Sequence, residues 1–290
     1  MGIPKAPSRG GKEIVMTLIT ISRESGSYGE EITELVAKTL GLRHVDRTSL
    51  EKELIRHGIP QQSVEKYDEK KPSFWDLFSL DRDRYYHYLK ACMLDTVREG
   101  DHVIIGRGAP VFLSGIPGVL HVRITASEEV RIGRIMKQHE CAEQHARKLV
   151  RQSDQNRSGY YRVFFNTDWS SPELYDMVFN TDKLPVKAVA ESIRAVVEAP
   201  EFRSTGQETS RRIADMATAQ RILTRILFEE QIPLRFATVD VSDGVATIGG
   251  AVGVDTDTKR CIAIASETEG IKEVVTQIAN VPETYEGPYM

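Results

Sequence analysis

The chain has 290 residues, a formal net charge of −4 and a pI near 6.0, with 40% hydrophobic and 28% charged residues. That length favours two domains over one, and so balanced a charge gives no overall attraction for nucleic acid or an anionic membrane surface. Cys92, Cys141 and Cys261 stand singly, an odd count without a C-x-x-C pair, which argues against a disulfide framework and fits a reducing cytosol.

Residues 1–16, MGIPKAPSRGGKEIVM, read as a polar N-terminal tail without the apolar core of a signal peptide. Met1-Gly2 is not followed by Ser or Thr at the sixth position, where Ala6 stands, so myristoylation is not expected. No apolar run is long enough to span a bilayer, and a cytoplasmic protein is expected.

From Thr17 to about Pro200, strand signals alternate with helical ones. The β-branched run Ile19–Ile21 leads into a small-residue loop with Gly26 and Gly29, and Ile32, Leu35, Val36 and Leu40 then recur at helical spacing. Strand, glycine loop and helix start are the parts of a P-loop, but the lysine position falls on Gly29 and the hydroxyl position on Glu30. Further strands are predicted at HV before Asp46, at 101–108, at 118–125 and at 175–181, with a closing helix from Lys187 to Val197. Strands separated by helical stretches predict an α/β domain over 17–200: a P-loop kinase-like parallel sheet with helices on both faces.

Residues 201–215 are polar and show no periodic apolar face, which predicts a linker. Beyond it Ala219, Ile222, Leu223 and Ile226 suggest an amphipathic helix. A hairpin is expected around Ser242-Asp243-Gly244, then a helix, then a strand after Gly270. Residues 216–283 therefore read as a small α+β domain, followed by a tail at 284–290.

Two resemblances sharpen this outline. ITISRESGSYGEEI, VIIGRGAPVFL, LHVRITASEEVRIGRIM and the long stretch from Ala146 to Thr181 occur in an order that resembles the cytidylate kinase-like family. DVSDGVATIGGAV, a helix and TEGIKEVVTQIANV resemble the BON module, with Gly244, Gly250 and Gly270 on its glycine positions. The first resemblance implies ATP with Mg²⁺ as donor and a nucleoside monophosphate such as CMP as acceptor. The second implies a module for a ligand or protein that the sequence does not identify.

The candidate site follows from these stretches. Backbone N–H groups at a helix start suit an anion without any lysine, and the resemblance places phosphate on Arg23, Gly26, Ser27 and Gly29. The family commonly has arginine at position 30. Here Glu30 and Glu31 stand at the turn, so like-charge repulsion is expected to weaken triphosphate binding. Arg107, in GRG at the end of a strand, lies where α/β sheets bind ligands, and the resemblance implies that it holds the acceptor phosphate. Residues 147–162 carry five cations against Asp154; the resemblance makes them a lid, with Arg151 and Arg157 catalytic and Arg162 phosphate-binding. The opposing reading is a solvated helix face. Asp46 either contacts the acceptor nucleotide or caps the next helix. No protein metal ligand is evident, since Mg²⁺ is often held mainly by phosphates and water.

Two groups are set aside. His139, Cys141 and His145 lie at offsets that do not converge on one ion as i, i+4 ligands do. Phe74, Trp75, Phe78, Tyr85, Tyr86 and Tyr88 offer stacking surface, but their helical spacing suits a core or a domain contact. Two functions remain open: a nucleoside monophosphate kinase, or a catalytically silent nucleotide sensor or scaffold on the same fold.

Overall fold

β-branched residues favour extended backbone, and in the computed structural model, which describes residues 16–67, 80–253 and 255–281, Leu18–Arg23 forms strand β1. Helix α1 (Gly29–Leu40), β2 (Arg43–Val45), α2 (Arg47–Arg56), α3 (Gln61–Lys66) and α4 (Leu80–Val97) follow. Then come β3 (His102–Ile105), the short α5 (Ala109–Phe112), β4 (Val119–Thr125), α6 (Glu128–His139) and α7 (Glu143–Phe165). β5 (Met177–Asn180) and α8 (Val186–Glu198) close this part. The strands form one sheet in the order β2-β3-β1-β4-β5, with every neighbouring pair parallel. β1 thus lies in the middle, and its carboxyl end opens between those of β3 and β4.

Successive residues of a strand face opposite sides of the sheet, so each face carries its own core. Ile19 and Ile21 of β1 join Val103, Ile105, Val122 and Ile124 beneath Ile32 and Val36 of α1 and Val189 and Ile193 of α8. Leu18 and Ile104 face the other way, against Leu50 and Leu54 of α2 and Tyr85, Leu89 and Met93 of α4. Met16, assigned to the tail from sequence, is buried in this second core. The rest of the two chain tails, and Phe74, Trp75 and Phe78, lie outside the described residues.

The predicted linker is helical. α9 (Pro200–Arg203) leads into α10 (Gly206–Thr224), a continuous helix that begins well before the expected boundary and ends in a π-helical turn over Arg225–Glu229. Gly206, Thr209, Ile213 and Ala217 form its buried stripe. Ile213 and Ala217 belong to the core under α4, whereas Ala219, Ile222 and Ile226 of the same run belong to the core of a second sheet. Helical geometry lets one helix serve two cores by presenting different faces to each.

The second sheet contains β6 (Arg235–Ser242), β7 (Val245–Val252) and β8 (Glu273–Asn280), with α11 (Asp255–Ser266) between the last two. β6 and β7 pair antiparallel through the turn at Gly244, and β8 lies parallel to β7. Cys261, Ile264 and Ala265 of α11 join α10 over Val241, Ala246 and Ile248. Among the described residues, no strand of this sheet pairs with the five-stranded one.

Candidate functional site

The turn after β1 is closed by its own hydrogen bonds. The Ser27 N–H donates to the Glu24 carbonyl at 3.2 Å, and the Ser27 hydroxyl donates to the same oxygen at 2.8 Å. Gly26 is left-handed at φ 80°, and a Cβ there would sit 2.9 Å from the Arg131 carbonyl oxygen, so conformation and close packing both require glycine. Tyr28, also left-handed at φ 62°, then starts α1. The first N–H groups of any α-helix lack partners within it and carry the positive end of its dipole, so Gly29, Glu30 and Glu31 offer an anion-binding turn. Glu30 and Glu31 are exposed there, and Glu30 accepts from Arg23 Nε at 2.9 Å.

Residues that the sequence reading did not single out hold this turn in place. Glu24 accepts from Arg123 of β4 at 3.1 Å and from the Ala126 N–H at 3.2 Å, and it pairs with Arg131 of α6 at 3.3 Å. Arg123 lies over the Trp169 ring at 4.1 Å and donates to the Trp169 carbonyl at 2.8 Å. The Trp169 indole in turn donates to Ser22 of β1 at 2.8 Å. Arg134, one turn beyond Arg131, donates to the Gly26 carbonyl at 3.1 Å and to the Thr181 carbonyl at 2.7 Å, with its guanidinium 3.9 Å from the Tyr28 ring centroid. The Thr181 hydroxyl donates to the Ser27 carbonyl at 3.0 Å. The i, i+3 spacing of Arg131 and Arg134 was the available signal, since it puts both on one face of α6.

Arg107 occupies a different wall of the same edge. Gly106, Arg107 and Gly108 are successively left-handed, at φ 79°, 57° and 73°. The Gly106 N–H donates to the Ile21 carbonyl at 3.1 Å, which fixes this bend beside the end of β1. The Arg107 side chain is only 1% exposed and donates to the Tyr85 hydroxyl at 3.0 Å and to Glu51 at 2.7 Å. A surface-loop arginine is therefore excluded, and the charge is already matched by a carboxylate. Asp46 caps α2, accepting from the Ser49 N–H at 2.8 Å and the Ser49 hydroxyl at 2.7 Å.

Of the arginines of α7, Arg147 and Arg151 share Glu128, while Arg157 and Arg162 make other contacts. Arg151 is exposed and pairs with Glu128 at the start of α6 at 2.9 Å; this hydrogen bond, foremost, holds the Glu128 carboxyl below its usual range. Arg157 donates to the Ser153 hydroxyl at 2.6 Å and lies 5.9 Å from the Trp169 ring, on the Arg123 side of the site. Arg162 is exposed near Asp168 and helps to depress that carboxyl's pKa, after the Ser170 N–H and hydroxyl. The carboxylates facing Arg107 and Arg151 are different ones, Glu51 and Glu128.

The remaining candidates resolve into packing. Tyr85 and Tyr86 stack among Tyr67, Phe112, Phe164 and Phe165, while Tyr88 meets Phe228 beyond α10 at 6.0 Å. Cys141 packs beside Ile132, Ile135 and Val150. Among the described residues no three His, Cys, Asp or Glu side chains are grouped to hold a metal ion. A cavity of about 580 Å³ runs along α2 and the later half of α4, lined by Asp46, Lys52, Glu53, Cys92, Asp95 and Glu99 among others. Its lining mixes these carboxylates with Lys52, Arg56 and His57 and includes no residue of the turn after β1, and we place the candidate site at that turn.

The model of the cytidylate kinase-like family matches residues 18–183, leaving the three-stranded sheet outside the match. The cytidylate kinase of Methanocaldococcus jannaschii is 25% identical over 184 residues, covering 62% of this chain and 97% of that protein. That of Ignicoccus hospitalis is 25% identical over 183 residues, covering 63% and 99%. Among solved structures, an uncharacterized protein from Eubacterium ventriosum superposes with a TM-score of 0.50 at 18% identity, covering 63% of this chain and 99% of that one. That likeness concerns the fold alone.

Proposed function

Because the chain belongs to the cytidylate kinase-like family, we propose that it binds a nucleoside triphosphate with Mg²⁺ at the turn after β1 and a nucleoside monophosphate such as CMP beside Arg107. The observation that carries this reading is the shared edge: the α1 N-terminus and the buried Arg107 flank the carboxyl end of the central strand. In the transfer, an acceptor phosphate oxygen forms a bond to the γ-phosphorus as the bond from that phosphorus to the β-phosphate bridging oxygen breaks. The products are two diphosphates, with no change of oxidation state. Backbone N–H groups hold the donor phosphates, Arg107 orients the acceptor, and Arg157, 5.9 Å from the Trp169 ring whose indole donates to Ser22 of β1, is the α7 arginine assigned to the transferring phosphate. The turn fits phosphate; Mg²⁺ would enter with the triphosphate and draw the electron density of its oxygens.

A second reading is favoured by one specific observation. Arg23, Arg107 and Arg151 each already face a carboxylate, Glu30, Glu51 and Glu128 respectively. A site so neutralised suits a protein that senses nucleotide without turning it over. For the C-terminal unit we propose a BON-like ligand-binding or regulatory module, supported by its helix-strand-strand-helix-strand order and by positive φ at Gly244, Gly250 and Gly270. We place the protein in the cytoplasm, in keeping with the absence, among the described residues, of any helix long and apolar enough to cross a membrane.

A thermal-shift panel of nucleotides with Mg²⁺, followed by phosphoryl-transfer assays, tests the main reading, because a ligand of the folded state raises apparent stability. CMP and ATP are expected to stabilise the protein, and transfer separates kinase from sensor. Arg107→Ala should weaken monophosphate binding about ten- to a hundredfold, the scale of a hydrogen bond to a charged group. Unchanged affinity for every monophosphate in a folded Arg107→Ala protein would remove the acceptor assignment.

A further inference from the structure

Gly29 begins α1, and unlike Gly26 it is not among the residues with positive φ. Any L-residue could adopt its backbone, yet no side chain fits. A Cβ at position 29 would lie 2.3 Å from Arg23 Cβ and 2.5 Å from Arg23 Cγ, far inside van der Waals contact. The stem of Arg23 fills the space into which a side chain at 29 would project. Its charged end continues to the first turn of α1, where it meets Glu30 at 2.9 Å, with the Arg23 side chain 14% exposed and that of Glu30 55% exposed. In a P-loop of the usual pattern, the position aligned with Gly29 carries a lysine that reaches the terminal phosphates.

We propose that Arg23, reaching over Gly29 from the end of β1, is the phosphate-binding cation of this loop, and that Glu30 occupies it as a resident anion until a polyphosphate displaces the carboxylate. This deepens the reading of the turn as a triphosphate site and rests on it. The physical case has three parts. A guanidinium and the positive end of α1 converge on one spot, and both favour an anion there. The carboxylate that now answers them is a single charge on a largely solvated side chain, and such pairs are weak. A triphosphate brings several charges and can accept from the guanidinium and the helix N–H groups together. Glu30 therefore sets a threshold for binding in place of abolishing it, and strand and helix have exchanged the task of supplying the cation.

The experiment measures dissociation constants for ATP and for inorganic tripolyphosphate with the full chain and four variants, at low and high salt. Glu30→Gln should tighten both ligands about three- to tenfold, with the gain shrinking as salt rises. Arg23→Gln should weaken both about ten- to a hundredfold. In Arg23→Gln/Glu30→Gln the benefit of the Glu30 change should shrink to the direct repulsion alone, because the carboxylate then has no guanidinium to occupy; a double-mutant cycle isolates that coupling. Arg23→Gly/Gly29→Lys removes both the Cβ and the stem that a side chain at 29 would strike and returns a cation to the helix, and it should recover most of the lost affinity. Tight binding by Arg23→Gln, or an undiminished Glu30→Gln gain in its presence, would overturn the exchange while leaving the triphosphate site standing. Absence of ATP and tripolyphosphate binding in wild type and Glu30→Gln alike would overturn both.

Discussion

At Asp46 one carboxylate oxygen serves as a helix cap, accepting from the Ser49 N–H and hydroxyl. Burial is the largest single influence on it and would raise its pKa, but the Ser49 hydroxyl, the Ser49 N–H and the nearby His44 outweigh that and hold it below the usual range. A depressed folded-state pKa means that the cap's stabilisation is complete above the unfolded-state value and is lost as pH falls through the folded one. Asp46→Ala is therefore expected to cost about 1 kcal/mol at pH 7. The deficit should narrow as pH falls from 7 towards roughly 3, below the ordinary aspartate pKa. Denaturant midpoints of both proteins across that range measure it, and a constant deficit would contradict the assignment. Asp46 also shows what was legible at this scale. The cap was one of two readings, because S/T/D/N before a helical run is a local signal. Arg131 and Arg134 were missed because their partners, Glu24, Gly26 and Thr181, are joined to them only through the packing of α6 on the loop.

Among the elements, the strands of the five-stranded sheet were readable in part because buried parallel strands are continuous apolar runs. β3 carries such a run at 103–105, whereas β1 and β4 interrupt theirs with the buried polar residues Thr20, Ser22, His121 and Arg123 and were legible from their β-branched residues. α10 was misread for a physical reason. Its first half buries Gly206, Thr209, Ile213 and Ala217, a stripe of mostly small or hydroxylated residues that gives almost no hydrophobic periodicity. The Thr209 hydroxyl has the Pro117 and Thr205 carbonyls within reach as acceptors for its one proton, so even its polar member is satisfied inside the packing. Burial shared with another element is invisible to a window that scores one face at a time. Ile213 is fully buried among the residues under α4. Ile213→Ala should therefore destabilise by about 2–5 kcal/mol, against a few tenths for a true linker position. Chemical denaturation decides between the two values.

On the scale of the whole molecule, the two sheets meet through more than a peptide tether. Beside the shared core residues of α10, Gln220 donates to the His87 carbonyl at 3.3 Å, Arg221 pairs with Asp95 at 3.2 Å, and the Phe228 and His87 rings lie 5.5 Å apart. Burial lowers the His87 pKa, with Lys90 adding to the effect and Asp83 opposing it, so the seam favours the neutral imidazole. Elements that share a core unfold together. Calorimetry of the full chain should give one transition whose calorimetric and van't Hoff enthalpies agree. Two resolved transitions would mean that α10 divides its loyalty less evenly than its packing implies.

The helix that composition presents as a linker also bears on modularity. The C-terminal unit resembles a portable cassette, and residues 201–215 look like the natural place to splice it. A cut at the end of that stretch, inside α10, separates Ile213 from Ala217, its neighbour in the core beneath α4, and from Ala219, Ile222 and Ile226, which cover the second sheet. A cut before Gly206 takes Ile213 and Ala217 away from that core together. Neither half would inherit a finished surface. A graft of this unit onto a new host would have to begin upstream of Gly206 and bring a substitute for α4, so exchange between proteins is easier for the two units as one block than for either alone.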